Sequence, residues 1–250
     1  MLGSMVVYLG LTIAFVGFIG VVKPIRWLRI PTRLRALATA GVGVVVVCVG
    51  AILPAPETRI TRVETRLDEF APAWQFREFH TIRIAAPPAR VFEAIKRVRA
   101  DEIFLFRTLI WIRAGFQPPP ENIRNAGAHG ESLLDIATAT TFVWLADDFP
   151  REIVVGTVVG APPGTRGKLT PDVFQKQLPP GFALATMNFV VTPDGSGSIV
   201  STETRVFANS PDAGRRFAAY WRLIYPGSAL IRRMWLRAIE RRATSLEGTS

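Results

Sequence analysis

The chain has 250 residues, of which 49% are hydrophobic, with a positive mean hydropathy and a formal net charge of +10. Charge and apolar residues occupy different stretches, which excludes an ordinary soluble domain over the whole length. The single cysteine, Cys48, allows no intrachain disulfide and leaves the redox compartment open.

Two stretches, Met1 to Val22 and Ala36 to Pro56, contain no charged side chain. Each is long enough to cross a hydrocarbon layer of ~30 Å, which predicts a transmembrane hairpin over residues 1–56 with spans at about 4–22 and 36–55. A buried core helix rarely stays apolar for so long. A cleavable signal peptide fits poorly, because MLGSMVVY has no basic leader and no small-residue cleavage site precedes Lys23. Between the spans, the loop 23–35 (KPIRWLRIPTRLR) carries Lys23, Arg26, Arg29, Arg33 and Arg35 and no acid. By the positive-inside rule this loop is cytoplasmic and the chain after Pro56 extracytoplasmic, although Arg59, Arg62 and Arg66 reduce the asymmetry. Trp27 suits an interfacial anchor, and Gly10, Ala14, Gly17, Ala36, Ala40 and Gly43 would let two helices pack closely.

After residue 56 the balance is 25 Lys and Arg against 20 Asp and Glu, only mildly basic. No run alternates basic with aromatic residues, so no nucleic acid is expected as a partner. Residues 57–70 space Val63, Leu67 and Phe70 as on a juxtamembrane linker helix. From Ala73 the period becomes two: Trp74, Phe76, Ile82 and Ile84 alternate with Arg77, Thr81 and Arg83 in a strand whose buried face also holds Glu78 and His80. Ala86-Pro87-Pro88 opens a helix with Val91, Phe92, Ile95 and Val98 inward, and a second helix is expected over Asp101 to Ala114. Ser132–Thr138, Thr140–Ala146 and Glu152–Gly160 read as strands of a meander. Ala161 to Gly181 reads as a long loop with one helical turn near Pro171. Phe182–Thr192 and Ser198–Ala208 pair across a turn at Gly195-Ser196. The last helix starts at Ser210-Pro211-Asp212 and continues through Pro226 to about Ala243, with Phe217, Tyr220, Ile224, Ile231, Trp235 and Ala238 on one side and Arg233, Arg237, Glu240 and Arg241 on the other.

The segments HTIRIAAPPARVFEAI and YWRLIYPGSALIRRMWLRAIERRA, with the element order around them, resemble the START-like superfamily, also called SRPBCC or polyketide cyclase/dehydrase-like. The resemblance covers about Phe70 to Ala243, within a domain at 71–250. It implies an α+β helix-grip fold, in which a curved antiparallel sheet wraps the long terminal helix over an apolar cavity that commonly holds lipids, sterols or polyketides. Six strands are counted here, where the family usually has seven.

Two distant histidines and one cysteine make no metal site, and no phosphate loop, nucleophile elbow or cofactor motif is present. The candidate ligand-binding residues are Phe76, His80, Ile82, Met187, Phe189, Phe217, Tyr220, Ile224, Ile231 and Trp235. Acid–base candidates are His80 and Glu78. The last hairpin leaves two assignments open. Met187, Phe189, Val191, Val200 and Val206 favour one face as the interior, which would put Glu203 and Arg205 in solvent; otherwise a polar cluster of Asn188, Glu203 and Arg205 joins Glu78 and His80 in the cavity.

Three functions fit: a membrane-anchored module binding a hydrophobic small molecule, above all a lipid; a cyclase- or aromatase-type enzyme; or a non-catalytic membrane subunit docking a membrane protein. Exposed arginines such as Arg232, Arg233 and Arg237 would contact anionic headgroups. A reporter fused after Ser250 should be accessible only from outside the cytoplasmic face; cytoplasmic accessibility would reverse the topology.

Overall fold

The structure is a computed structural model that describes residues 2–103, 130–165 and 169–245. The helix expected over Asp101 to Ala114 lies, beyond a short 3-10 turn at Ala100–Glu102, outside the described residues. The chain divides into two compact units, Met1–Pro56 with Gly214–Leu223, and Glu57–Ala213 with Ile224–Ser250.

In the first unit, helices α1 (Leu2–Val22) and α2 (Arg33–Ile52) form an antiparallel pair, each long and apolar enough to cross a membrane. Small residues set their approach. A Cβ on Gly10 would lie 2.6 Å from the Val47 nitrogen and 2.8 Å from the Gly43 carbonyl oxygen, and one on Gly43 would meet the backbone of Ala14. Away from this seam, Leu9, Phe15, Phe18, Leu37 and Val45 are exposed. Thr32 caps α2, its hydroxyl accepting from the Arg35 amide at 3.3 Å. At the other end of α2 the guanidinium of Arg222, buried in this unit, donates to the carbonyl oxygens of Gly50, Ala51 and Leu53, each at 2.6 Å. These carbonyls end the helix without intrahelical donors, and a cation there also meets the negative end of the helix dipole.

The second unit is α+β. Its five-stranded antiparallel sheet has the order β3–β7–β6–β5–β4, formed by β3 (Phe76–Ile84), β4 (Phe142–Asp148), β5 (Glu152–Gly160), β6 (Ala183–Asp194) and β7 (Gly197–Ala208). Asp194 pairs with Gly197, so the turn falls at Gly195-Ser196 as expected, with Gly195 at φ 61°. Ser132–Thr138 is not a strand. Ser132 instead caps α5 (Leu133–Thr140), accepting from the Asp135 amide at 3.1 Å and donating to the Asp135 carboxylate at 2.7 Å. This local cap outweighs the β preference of the threonines that follow.

One face of the sheet packs on α4 (Pro88–Arg97), α5 and the long terminal helix α6 (Pro211–Ser245), joining Met187, Phe189, Val191 and Val200 to Val91, Phe92, Ile95, Leu134, Trp235, Leu236 and Ile239 in one core. Helix α6 is continuous through Pro226, and its end is tied by Arg242 to Glu102 at 2.6 Å. The other face is covered by the segment after Pro56. Within it only α3 (Arg66–Phe70) is helical, while β1 (Thr58–Arg59) pairs with β2 (Ala73–Trp74), so the expected linker helix is confined to its last turn. Leu67 and Ala71 pack there on Ala146 and Val154.

Replacing Arg222 by Ala should fray the end of α2, speeding amide exchange there by roughly tenfold or more, since hydrogen bonds to a charged group contribute about 1.5–3 kcal/mol. Lys should restore only part of the protection, lacking the planar fork. Unchanged exchange would show that the contact is energetically idle.

Candidate functional site

Alternation along β3 decides which groups can meet. Phe76, Glu78, His80, Ile82 and Ile84 lie toward the helices, while Arg77, Phe79, Thr81 and Arg83 lie toward the other face, and the register carries both sets across the sheet. Glu78 stands opposite Thr204, and His80 opposite Thr202; Glu203 stands opposite Phe79 and Asn188. The candidate residues therefore form two separate systems, and the single cluster weighed from the sequence does not form.

On the helix side, Glu78 is only 2% exposed and both carboxylate oxygens are used. One contacts His80 Nε2 at 2.9 Å, and the other accepts from the Ser228 hydroxyl at 2.8 Å. A proton on Nε2 makes this contact a hydrogen bond and leaves Nδ1 as the nitrogen with a lone pair. One helical turn beyond Ser228, Arg232 donates to the Thr204 hydroxyl at 3.1 Å, and its guanidinium sits 5.5 Å from the centre of the Trp235 ring. Arg232 is thus half-buried beside the sheet and not an exposed headgroup contact; Arg233 and Arg237 are exposed. Trp235 meets Phe189 edge to face at 5.0 Å, and its buried indole Nε1 has no hydrogen-bond partner among the described residues. Ile82, Ile231 and Met234 pack against the helix-facing core and stay partly accessible.

Of the ligand-binding candidates, Ile82, Met187, Phe189, Ile231 and Trp235 come together in this layer; Phe76 is buried on β3 outside that cluster, and Ile224 is partly accessible on α6. Phe217 and Tyr220 belong instead to the first unit, where Phe217 lies 5.7 Å from Tyr220 and 5.8 Å from Trp221.

The opposite face holds Asn188, Glu203 and Arg205, all buried and none in solvent. Glu203 accepts from Arg205 at 2.7 Å and from Arg77 at 2.7 and 2.9 Å; Arg205 also donates to Asp68 at 2.7 Å and lies 4.1 Å from the centre of the Trp74 ring. Glu152, 1% exposed, accepts from the Asn188 amide and from the backbone amides of Arg66 and Leu67 at the start of α3. A polar cleft of about 400 Å³ lies between this face and residues 59–65, lined by Arg62, Thr65, Asp68, Arg77, Asn188 and Glu203 among others. Burial works against the charged form of Asp68, but the Glu64 amide, Arg205 and the Thr65 amide outweigh it and hold its carboxyl below the usual range. Burial likewise opposes ionisation of Glu203, and Arg77 with Arg205 overcomes it. These charges satisfy one another and fasten the linker to the sheet.

Sequence reasoning missed Ser228, Asp68, Glu152 and Arg77 as members of these systems. Ser228, four residues before Arg232 and seven before Trp235, shares their helix face, which was the available signal.

No family model matches the sequence, and no curated protein matches it. Among solved structures, TTHA0849 from Thermus thermophilus is similar at 13% identity over 70% of this chain and 100% of its own, with a TM-score of 0.29, too low to support an argument.

Both carboxyls titrate lower in the folded chain than in the unfolded one, so their stabilisation is complete above the ordinary carboxylate range, near pH 4, and is lost as pH falls through the folded values. Thermal unfolding of the detergent-purified protein should therefore be flat above about pH 5 and fall steeply below about pH 4. Arg205→Ala should cost about 3–5 kcal/mol at neutral pH by leaving two buried carboxylates short of a partner, and should blunt the acid-side slope. An unchanged profile in that variant would remove the assigned role.

Proposed function

We propose that the protein is a membrane-anchored binding module for a hydrophobic small molecule, above all a lipid, held between the sheet and the terminal helix of a START-like helix-grip domain. The observation that carries this reading is the make-up of the helix-facing layer: partly accessible Ile82, Ile231 and Met234 share that side with one polar group, Glu78 with His80 and Ser228. Packed cores exclude such groups unless they are satisfied, and ligand sites combine apolar walls with a few placed polar atoms. The two apolar helices support an anchor across the bilayer, with the domain extracytoplasmic as the loop charge suggests, and a tether would keep the module near its ligand.

Native mass spectrometry of the full chain, released gently from detergent, should find a co-purifying apolar molecule that exchanges with added lipid. A chain that carries none and takes up none would defeat the proposal.

The Glu78–His80 contact favours a second reading, in which His80 Nδ1 moves a proton on the bound molecule. Diethylpyrocarbonate should then modify His80 in the ligand-free protein, with protection on loading, read by peptide mass mapping against His129. Inertness of His80 in the empty protein would remove the enzymatic reading while leaving binding intact.

A further inference from the structure

The polar cleft on the linker side of the sheet, about 400 Å³, falls in the lower part of the ~300–1,000 Å³ span of ligand pockets. Only three of its fourteen lining residues, Ile60, Phe79 and Val190, are apolar, so a ligand there is recognised through polar atoms. The lining charges favour neither sign. Arg59, Arg62, Arg77 and Arg205 face Glu64, Asp68 and Glu203, and Arg59 is already paired at 2.7 Å with Glu57, which brings the acids to four. An added anion or cation would meet as many like charges as opposite ones.

Hydrogen-bonding capacity remains although the buried ion pairs are closed. Arg77 gives Nε and Nη2 to Glu203 and has no partner at Nη1 among the described residues, on a side chain that is 49% exposed. The partly accessible Ser201 hydroxyl likewise has none among them. The exposed Glu64 carboxylate is the unspent acceptor, again with no partner among the described residues. Phe79, opposite Glu203 on the same face, leaves an aromatic ring 48% exposed beside these groups.

We infer that the cleft binds a neutral polyhydroxylated ligand, a sugar ring, with Phe79 against its apolar face and Arg77 Nη1, Ser201 and Glu64 sharing its hydroxyls. A hydroxyl donates and accepts at once, so it serves an arginine N–H and a carboxylate without adding charge. The C–H face of a sugar ring carries weak positive charge and suits the negative face of the phenyl ring. A peptide would seek ladder groups at a strand edge and apolar side-chain pockets, whereas the lining strand residues sit on the face of β3, β6 and β7. The site is across the sheet from the lipid reading above and independent of it. The sugar arrives either free or polymer-borne, or as the headgroup of a glycolipid, with the same chemistry.

The test uses the full chain in a polyoxyethylene detergent, which brings no sugar head, and saturation-transfer NMR with millimolar glucose, galactose, mannose, N-acetylglucosamine and maltose. At least one should receive saturation from the protein. The corresponding uronate, and the corresponding amino sugar in its cationic form, should bind more weakly by roughly threefold or more, since each adds an uncompensated charge. Phe79→Ala should weaken binding by roughly two- to tenfold, the worth of one aromatic contact. Glu64→Ala should weaken the neutral sugar and shift preference toward the uronate, with the melting temperature unchanged in both variants because both side chains are exposed. Repeating the measurement in phosphatidylcholine nanodiscs with and without a galactosyl diacylglycerol separates the sources: loss of the free-sugar signal only in the glycolipid discs assigns a headgroup, and equal signal assigns a free or polymer-borne sugar. No transfer to any of these sugars, or transfer unchanged in both variants, overturns the site and leaves a solvated cleft. Equal binding of the sugar and its charged analogues overturns its neutral character. Neither result bears on a lipid between the sheet and the terminal helix.

Discussion

A strand can offer each residue to only one side, and a sheet covered on both sides turns that rule into a strict sorting of polar groups. In β3, Glu78 and His80 go to the helix side and Arg77 to the linker side, and the unbroken pairing of β3, β7 and β6 sends Thr202 and Thr204 with the first pair and Asn188, Glu203 and Arg205 with the second. No side-chain rotation could merge them. The two systems differ because each must find its partners on its own side.

The two sides solve the burial problem differently. On the linker side, Asp68, Glu203, Arg205 and Arg77 form a chain of alternating charge, and Glu152 caps the first turn of α3 by accepting from its backbone amides. An unpaired buried ion costs several kcal/mol even after relaxation, so this arrangement works only if it is complete, and it is. A network of this kind holds a segment in place. The helix side is arranged differently. Glu78 is satisfied, but it positions an imidazole with a spare nitrogen, and a neighbouring indole N–H lacks an acceptor among the described residues.

Helix α6 shows the same contrast along a single element. Arg222 is spent on the carbonyl oxygens at the end of α2, whereas Ser228, Arg232 and Trp235 bring polar atoms to the sheet. Residues Gly214–Leu223 group with the apolar helices and Ile224 onward with the sheet. An arginine on a helix or strand is expected to face solvent from sequence alone, since a long cationic side chain has water as its default partner. Arg222, Arg232 and Arg205 each depart from that default because a partner distant in sequence supplies carbonyl, hydroxyl or carboxylate oxygens.

Local patterning alone determined a good deal: two uncharged runs of spanning length, the alternation that places Glu78 beside His80, the turn at Gly195-Ser196 with the register it imposes, and the start of the last helix at Ser210-Pro211. These depend on neighbours within a few residues, which is the range over which periodicity and turn chemistry act. Even the cap that makes Leu133–Thr140 a helix was present as Ser132 and Asp135, though the threonines around it suggested a strand. Tertiary structure decided what cannot be encoded locally: that the linker shields Glu203 and Arg205 from water, that Phe217 and Tyr220 leave the sheet core for the other unit, and that Ser228 reaches Glu78 from 150 positions away. Burial is a property of what lies opposite a side chain, and no sequence window contains the opposite wall.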